Sequence, residues 1–151
     1  MKELFSNQIL VAATVAWLLA QVVKVPLEYL RTHKWNWALL LSTGGMPSSH
    51  AALVSAMAHG VGLYEGFDTP LFALGFVLTA IVVYDATGIR RQAGLHAELI
   101  NAIISDLTAG HPLKETQQKQ LKEILGHTPI EAVSGILWGV AFATGFWYWW
   151  Q

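Results

Sequence analysis

The 151-residue sequence contains no cysteine, so disulfide bonds and thiolate metal sites are excluded. Charged residues make up 13% of the chain, against roughly 25% in a typical soluble domain. Nine basic residues are balanced by ten acidic ones, and this balance offers no basic surface to a nucleic acid. No segment has the spacing of a known metal motif such as HExxH. What remains is a chain that is 54% hydrophobic, with little polar sequence to coat a soluble bundle.

Most of the hydrophobic residues fall in four blocks. The blocks are Gln8–Val23, Ala51–Tyr64, Leu71–Tyr84 and Ala132–Trp150. A membrane-spanning helix needs about 20 mostly apolar residues, with a range of roughly 17–25. The fourth block reaches that length directly, the first falls one residue short of it, and the other two reach it with their flanking residues. We therefore predict an all-α fold, an integral membrane helical bundle with about four transmembrane helices plus short interfacial or re-entrant helices. A soluble bundle of buried helices is the alternative. Residues 1–151 would form one membrane-embedded domain, with a polar excursion at about 106–125.

The basic residues lie almost entirely on one side of this predicted bundle. All lysines and arginines except Lys2 fall in segments 24–50 and 85–131, which four spans would place together. Because an excess of basic residues marks the cytoplasmic side, we expect both segments and the polar excursion in the cytoplasm. The aromatic residues at 147–150 would then lie at the opposite interface as an anchor.

A polar stripe runs along the end of the first predicted helix. Gln21, Lys24, Glu28 and Arg31 are spaced by 3, 4 and 3 residues, which places them on one helical face. Charge inside a span is costly and marks a candidate functional site. The alternative is that Lys24 or Arg31 snorkels to the membrane boundary, but snorkelling accounts less well for four polar residues on one helical face.

Charged residues also follow the third apolar block. Asp85 comes directly after it, and Arg90 and Arg91 follow at the start of a predicted amphipathic helix at the interface. Paired guanidinium groups are well suited to bidentate binding of phosphate. For Asp85 we favour a structural pairing with Arg90 or Arg91, and the alternative is that Asp85 holds a divalent cation.

The segment "GHTPIE" combines a helix start with a histidine. Thr128 and Glu131 have the spacing of a capping box, with Pro129 at the first helical position. His127 precedes the cap, one turn from Glu131, so this carboxylate can orient the imidazole. The segment therefore predicts a helix start that carries an oriented histidine.

The segment "GGMPSSH", residues 44–50, has the same form. A glycine pair that includes Gly45 comes before two candidate caps, Ser48 and Ser49, and His50 falls in the first helical turn. Free backbone N–H groups at a helix start bind anions. With cations to clamp a phosphate, one histidine to attack phosphorus and another to protonate the leaving oxygen, the residues predict phosphoryl transfer without a required metal.

Together these motifs resemble the type-2 phosphatidic acid phosphatase superfamily, which includes the vanadium haloperoxidases and bacterial acid phosphatases. Its motifs are K-x6-R-P, P-S-G-H and S-R-x5-H-x3-D. They are matched here by Lys24 to Arg31, by residues 47–50 and by His127 to Glu131. The departures are Thr32 for Pro, Ser49 for Gly and Glu131 for Asp. The third motif lacks its arginine before His127, so Arg90 or Arg91 would supply it across an insertion. This split motif resembles the divergent, small membrane branch of the superfamily.

The resemblance implies a role for each matched residue. His127 would be the nucleophile, Glu131 its orienting carboxylate and His50 the general acid. Phosphate would be bound by Lys24, Arg31, Ser48, Ser49 and Arg90 or Arg91, with Gly45 and Asp85 as supporting residues. A rival alignment places the nucleophile at His96, which has the R-x5-H spacing from Arg90, with five residues between them. The residue four positions past His96 is Ile100, which cannot orient an imidazole, so we prefer His127.

We therefore expect a membrane phosphatase, a phosphoric monoester hydrolase that acts on a lipid phosphate monoester or diphosphate through phosphohistidine at the cytoplasmic face. A lipid phosphotransferase is one alternative, and a non-catalytic lipid-phosphate-binding membrane protein is another. No cofactor is expected. The expected partners are the lipid phosphate and the bilayer, with a homo-oligomer as a further candidate, and the expected location is a bacterial plasma membrane.

Overall fold

The computed structural model describes residues 5–42, 44–108 and 126–150, with only the backbone at residues 90 and 106–108. This part of the chain forms five α-helices and one 3₁₀ segment, and it contains no β-strand. The elements are α1 (Gln8–Thr32), the 3₁₀ segment (Trp37–Leu41), α2 (Ser49–Glu65), α3 (Pro70–Thr87), α4 (Ile89–Thr108) and α5 (Pro129–Trp150). The all-α prediction is confirmed. Residues 109–125 of the predicted polar excursion lie outside the described residues.

Four of these helices begin at a residue whose side chain caps the first turn. The cap oxygen accepts a hydrogen bond from the backbone N–H three residues later, at 3.0 to 3.3 Å. This bond satisfies one of the N–H groups that a helix start leaves without an intrahelical partner. The capping residues are Asn7 for α1, Ser48 for α2, Thr69 for α3 and Thr128 for α5. Short polar residues before each apolar block therefore set where the helices begin.

Helices α1 and α3 both run antiparallel to α2. In each case residues early in one helix contact residues late in the other. The pairs that show it are Ile9 with Gly60 and Lys24 with Ser49 for α1, and Thr79 with Val54 and Gly75 with Ala58 for α3. The end of α1, the start of α2 and the end of α3 therefore lie at one end of the bundle.

Helix α5 packs against α2 through small residues. Gly135 and Gly139 form a GxxxG pair, a spacing that lets membrane helices approach closely. A Cβ atom at Gly135 would collide with the carbonyl oxygen of Ser48, and one at Gly139 would collide with the hydroxyl of Ser55. The two backbones are thus in direct contact, and a side chain at either glycine would separate them.

Helices α2 and α5 run parallel, although α3 and α4 lie between them in the sequence. The Ser48 N–H donates to the Glu131 carbonyl oxygen at 3.0 Å near the two starts. Further along, the His59 ring bonds the Thr144 hydroxyl at 2.9 Å. The starts of α2 and α5 therefore lie at the same end of the bundle as the end of α1 and the end of α3.

The bundle has small residues inside and large apolar residues outside. Most buried hydrophobic residues are alanines, whereas Leu74 is 66% exposed and Leu137 is 64% exposed. A soluble protein rarely exposes apolar patches of this extent, but lipid tails cover them without cost. Small interior residues are also the usual means by which membrane helices pack. The distribution of side-chain size therefore points to a membrane environment.

Three helical segments of the described chain are long and apolar enough to cross a membrane. They are Gln8–Thr32, the run Pro70–Ser105 that includes α3, and Pro129–Trp150. Helix α2 has 17 residues, about 25 Å at the usual rise per residue, and it packs among α1, α3 and α5. By length and composition, the described chain thus has three candidate spanning segments and a shorter central helix.

Candidate active site

The imidazole of His127 is fixed by Glu131. Nδ1 of His127 lies 3.2 Å from Oε2 of Glu131, and the His127 residue is only 4% exposed. The same carboxylate oxygen accepts the Thr128 N–H at 3.0 Å, and the Glu131 N–H donates to the Thr128 hydroxyl at 3.3 Å. This is the predicted capping box. In the neutral ring with Nδ1–H directed at the carboxylate, the lone pair is on Nε2, as a nucleophile or a base requires.

The backbone of His127 is held by the end of α3. The His127 N–H donates to the Ala86 carbonyl oxygen at 3.0 Å. Asp85 is the neighbour of Ala86 in the last turns of α3 and is half-buried. The structure thus places Asp85 at the same end of the bundle as His127, and the choice between its structural and cation-binding roles stays a prediction.

Lys24 is buried beside the start of α2. Its residue is 1% exposed, and its Nζ donates to the Ser42 carbonyl oxygen at 3.3 Å and to the Ser49 hydroxyl at 3.4 Å. Within the described residues Lys24 forms no ion pair, although Glu131 is near enough to interact with it electrostatically. A buried ammonium group held by two neutral oxygens lacks a full counter-charge, so the position favours a bound anion.

Gln21 holds the backbone of residues 40–42, the segment that supplies the Ser42 carbonyl oxygen to Lys24. Its Nε2 donates to the carbonyl oxygens of Leu40 at 3.0 Å and Ser42 at 3.1 Å. The amide therefore ties α1 to the end of the 3₁₀ segment, and it shares the Ser42 carbonyl with Lys24. The sequence placed Gln21 on the polar stripe but gave it no role, since its acceptors are backbone atoms of an irregular segment.

Gly45 allows the chain to turn back toward α1. Its φ of +86° lies in the left-handed region, which side-chain-bearing residues rarely adopt. A Cβ at this position would lie 3.7 Å from Cδ of Lys24, so the glycine backbone borders the lysine side chain. The predicted supporting position of Gly45 thus adjoins Lys24, and its φ accounts for the glycine.

Ser48 and Ser49 are both buried at the start of α2. The Ser48 hydroxyl accepts the Ala51 N–H as the helix cap, and the Ser48 N–H is committed to the Glu131 carbonyl oxygen. That N–H is therefore used to join α2 to α5, and the predicted phosphate cradle depends on the other groups at the helix start. The Ser49 hydroxyl instead contacts the Lys24 ammonium group, so it borders the candidate anion position.

The remaining predicted residues lie at the helix ends on this side of the bundle. His50 is half-buried in the first turn of α2, and Arg91 is half-buried in the first turn of α4. Arg31 is exposed in the last turn of α1, seven residues beyond Lys24. Neither Arg31 nor Arg91 forms an ion pair in the part of the chain described here. The side chain of Arg90 lies outside the description.

Burial separates the two candidate nucleophiles. His96 is exposed on α4, whereas His127 is buried against Glu131. Among residues 5–42, 44–108 and 126–150, no group of three or more histidine or carboxylate residues is placed to hold a metal ion. The roles of His50, His127 and the cations in a reaction stay predictions.

The fold and these residues define a class: an all-helical membrane protein with a buried histidine bonded to a carboxylate and a buried lysine at one end of the bundle. The sequence matches the Divergent PAP2 family over residues 5–142, and the chain belongs to this family. It is also similar to a protein of Bacillus subtilis (strain 168) named "Uncharacterized membrane protein YuiD". The identity is 42% over 146 residues, which cover 91% of this chain and 92% of that protein. No solved structure shows a significant match to the chain. The resemblance to the divergent membrane branch is thereby confirmed.

Proposed function

We propose that the protein is a membrane phosphatase that hydrolyses a lipid phosphate monoester or diphosphate at the cytoplasmic face. The observation that carries this proposal is the buried Lys24 ammonium group, which lacks an ion pair among the described residues. It lies next to Ser49, while Ser48 is joined to Glu131, the residue that orients His127. A phosphate group would supply the missing negative charge at a place where a nucleophile is already oriented.

The two helix starts add to this electrostatic case. Each helix start carries roughly half a positive charge from its aligned peptide dipoles. Because α2 and α5 run parallel and begin at the same end, their positive ends converge on the region between Ser49 and His127. The convergence would stabilise the charge that develops on a phosphoryl group in the transition state.

The proposed reaction has two steps. In the first, Nε2 of His127 attacks phosphorus, the bond from phosphorus to the lipid oxygen breaks, and His50 gives that oxygen its proton. In the second, water attacks the phosphohistidine, its proton passes to His50, and inorganic phosphate leaves. Lys24 stays bound to the phosphoryl oxygens throughout, and Glu131 holds the His127 ring and balances its positive charge.

A lipid substrate suits the position of these groups. Lys24 lies within α1, and His127 directly precedes α5, and both helices have the length and composition of membrane spans. A substrate whose tail remains in the bilayer can bring its phosphate to such a site without leaving the membrane. The basic residues counted along the sequence support the cytoplasmic face, and a bacterial plasma membrane is part of the proposal.

A non-catalytic lipid-phosphate binder is the second candidate. The observation that favours it is the missing arginine of the third motif before His127, which Arg90 or Arg91 would have to supply across an insertion. A pocket with a lysine and two helix starts can hold phosphate without the arginine that the third motif of the superfamily supplies.

Phosphate release by purified protein in mixed micelles tests the proposal. The panel comprises phosphatidic acid, an isoprenyl monophosphate and an isoprenyl diphosphate, each with and without a chelator. We expect His127→Ala to abolish release while the protein keeps its thermal stability. His96→Ala is the matched control, because it removes an exposed histidine at the rival position, and we expect it to leave release unchanged.

Three results bear against the proposal. Equal release by wild-type protein and His127→Ala would exclude the phosphohistidine. Loss of release in His96→Ala alone would move the nucleophile to α4. Retention of lipid phosphate without release, unaffected by His127→Ala, would identify the binder instead.

A further inference from the structure

A second feature of α5 is an apolar groove about 400 Å³ in volume. Its lining is almost wholly apolar, and every lining residue belongs to α5. They are Trp138, Ala141, Phe142, Gly145 and Phe146. Sites for small molecules typically measure about 300–1,000 Å³ and are lined by hydrophobic and aromatic side chains. Gly145 contributes the open part of the groove, since a Cβ there would meet no atom within 4 Å.

The groove lies on the same face of α5 as Glu131. Trp138 lies 7 residues after Glu131, Phe142 lies 4 after Trp138, and Gly145 lies 3 after Phe142. This spacing keeps all four residues on one side of the helix. At the usual helical rise, the groove extends from about 10 Å to about 22 Å beyond Glu131. It thus begins where the candidate active site ends and continues along the helix.

The groove also borders the seam between α1 and α5. The indole N–H of Trp138 donates to the Ala16 carbonyl oxygen at 3.1 Å. At the other end of this seam, Lys24 of α1 interacts electrostatically with Glu131 of α5. One seam therefore connects the buried lysine with the groove, through Ala20 and Ala16, which are both buried.

We propose that this groove holds the hydrocarbon tail of a lipid phosphate whose phosphate group lies between Lys24 and His127. The inference rests on the proposed function and adds a tail-binding subsite to it. Half of a hydrocarbon core of about 30 Å is about 15 Å, so a tail that extends from the site to the bilayer midplane passes along the groove. Ala141 and Gly145 leave the space that the chain occupies, and the Phe142 and Phe146 rings line it.

The size of the effect follows from the surroundings of the groove. Lipid tails around the bundle are as apolar as the groove, so a bound tail gains packing rather than removal from water. We therefore expect the subsite to change the apparent affinity for long chains on the order of threefold to tenfold. Short-chain substrates, which do not reach residue 138, gain nothing from it.

Gly145→Leu tests the subsite, since a Cβ at position 145 meets no atom within 4 Å and the leucine side chain adds bulk to the groove. Ala80→Leu is the matched control, because Ala80 is exposed on α3 and the change adds similar bulk outside the groove. Both variants are assayed for phosphate release from dioleoyl and dihexanoyl phosphatidic acid. We expect Gly145→Leu to lower kcat/KM for the dioleoyl lipid on the order of threefold to tenfold and to leave the dihexanoyl value unchanged.

A binding arm separates this inference from the proposed function. Retention of dioleoyl phosphatidic acid is measured by native mass spectrometry on His127→Ala protein, with and without Gly145→Leu. Weaker retention with Gly145→Leu supports the subsite even if the wild-type protein releases no phosphate, an outcome that overturns the phosphatase alone. Hydrolysis of both lipids with no effect of Gly145→Leu overturns the subsite alone. A dimer that Gly145→Leu converts to monomer, with chain-length preference unchanged, assigns the groove to a second copy of the chain and likewise overturns the inference.

Discussion

Replacing Gly135 by alanine is expected to force α2 and α5 apart at the candidate active site. The new methyl group would meet the Ser48 carbonyl oxygen well inside contact distance and the Ala51 Cβ at 2.9 Å. One of these atoms belongs to the backbone and the other is the first atom of a side chain, so no rotamer change relieves the overlap. Helix α5 must therefore move away from α2.

The structure gives the size of this perturbation. Overpacking of a tight interface costs about 1–3 kcal/mol, and loss of the 3.0 Å bond from Ser48 N–H to Glu131 adds about 1 kcal/mol. The sum of about 2–4 kcal/mol corresponds to a fall in Tm of roughly 4–16 °C for a chain of this size. Because Glu131 orients His127, a displacement of about 1 Å would also lower turnover by about 10²-fold.

Thermal unfolding of the purified variant in detergent, followed by size-exclusion chromatography, measures the stability term without assuming any activity. Gly145→Ala is the control, since it makes the same change on the same helix where no atom lies within 4 Å. Gly139→Ala creates a similar overlap one turn further from Glu131, so we expect a comparable loss of Tm with a smaller loss of turnover. A Gly135→Ala protein that unfolds at the wild-type temperature would show that α2 and α5 are not in this contact.

Three further predictions follow from single residues. Lys24→Met removes a buried charge, so we expect inhibition of lipid-phosphate release by inorganic phosphate to weaken by at least tenfold (about 1.4 kcal/mol) while Tm stays equal or rises. The control Lys34→Met, at an exposed lysine, should change neither quantity. An unchanged inhibition constant in Lys24→Met would refute the anion site. Glu131→Gln keeps a side chain that can complete the capping box but removes the charge beside His127, so turnover should fall by about 10²–10⁴-fold with Tm nearly unchanged; full activity would exclude an orienting carboxylate. Because the chain has no cysteine, Glu115→Cys provides a single label for topology, and an impermeant maleimide should react with it only after the cells are opened, whereas reaction in intact cells would reverse the proposed orientation.

The helices and the histidine–carboxylate pair could be predicted because each depends on residues close in sequence. The apolar blocks gave the spans, and Thr128 with Glu131 gave both a cap and the partner of His127. The predicted second block, Ala51–Tyr64, became α2 with two residues added at its start and one at its end. Local hydrogen bonds and local hydrophobicity can be predicted from a single sequence.

The contacts between distant segments could not be predicted in the same way. The bond from Ser48 N–H to the Glu131 carbonyl oxygen joins two backbone groups. Because almost every residue type carries the same backbone groups, the sequence does not indicate which of them pair. Gln21 bonds two carbonyl oxygens of the segment around Ser42, which no side-chain pattern marks. Gly135 and Gly139 did carry a signal, since their GxxxG spacing indicates a close helix contact, but the spacing alone does not identify α2 as the partner.

The parallel packing of α2 and α5 bears on how the site tolerates an insertion or a break in the chain before His127. Among the described residues, His127 is positioned by Ala86 of α3, by Glu131 and by the glycine contacts of α5. The position of His127 therefore depends on α3, far earlier in the chain, as well as on the helix that follows it. A third motif divided by an insertion is then compatible with an undivided site, and two separately expressed pieces, cut within 109–125, contain every contact described for it.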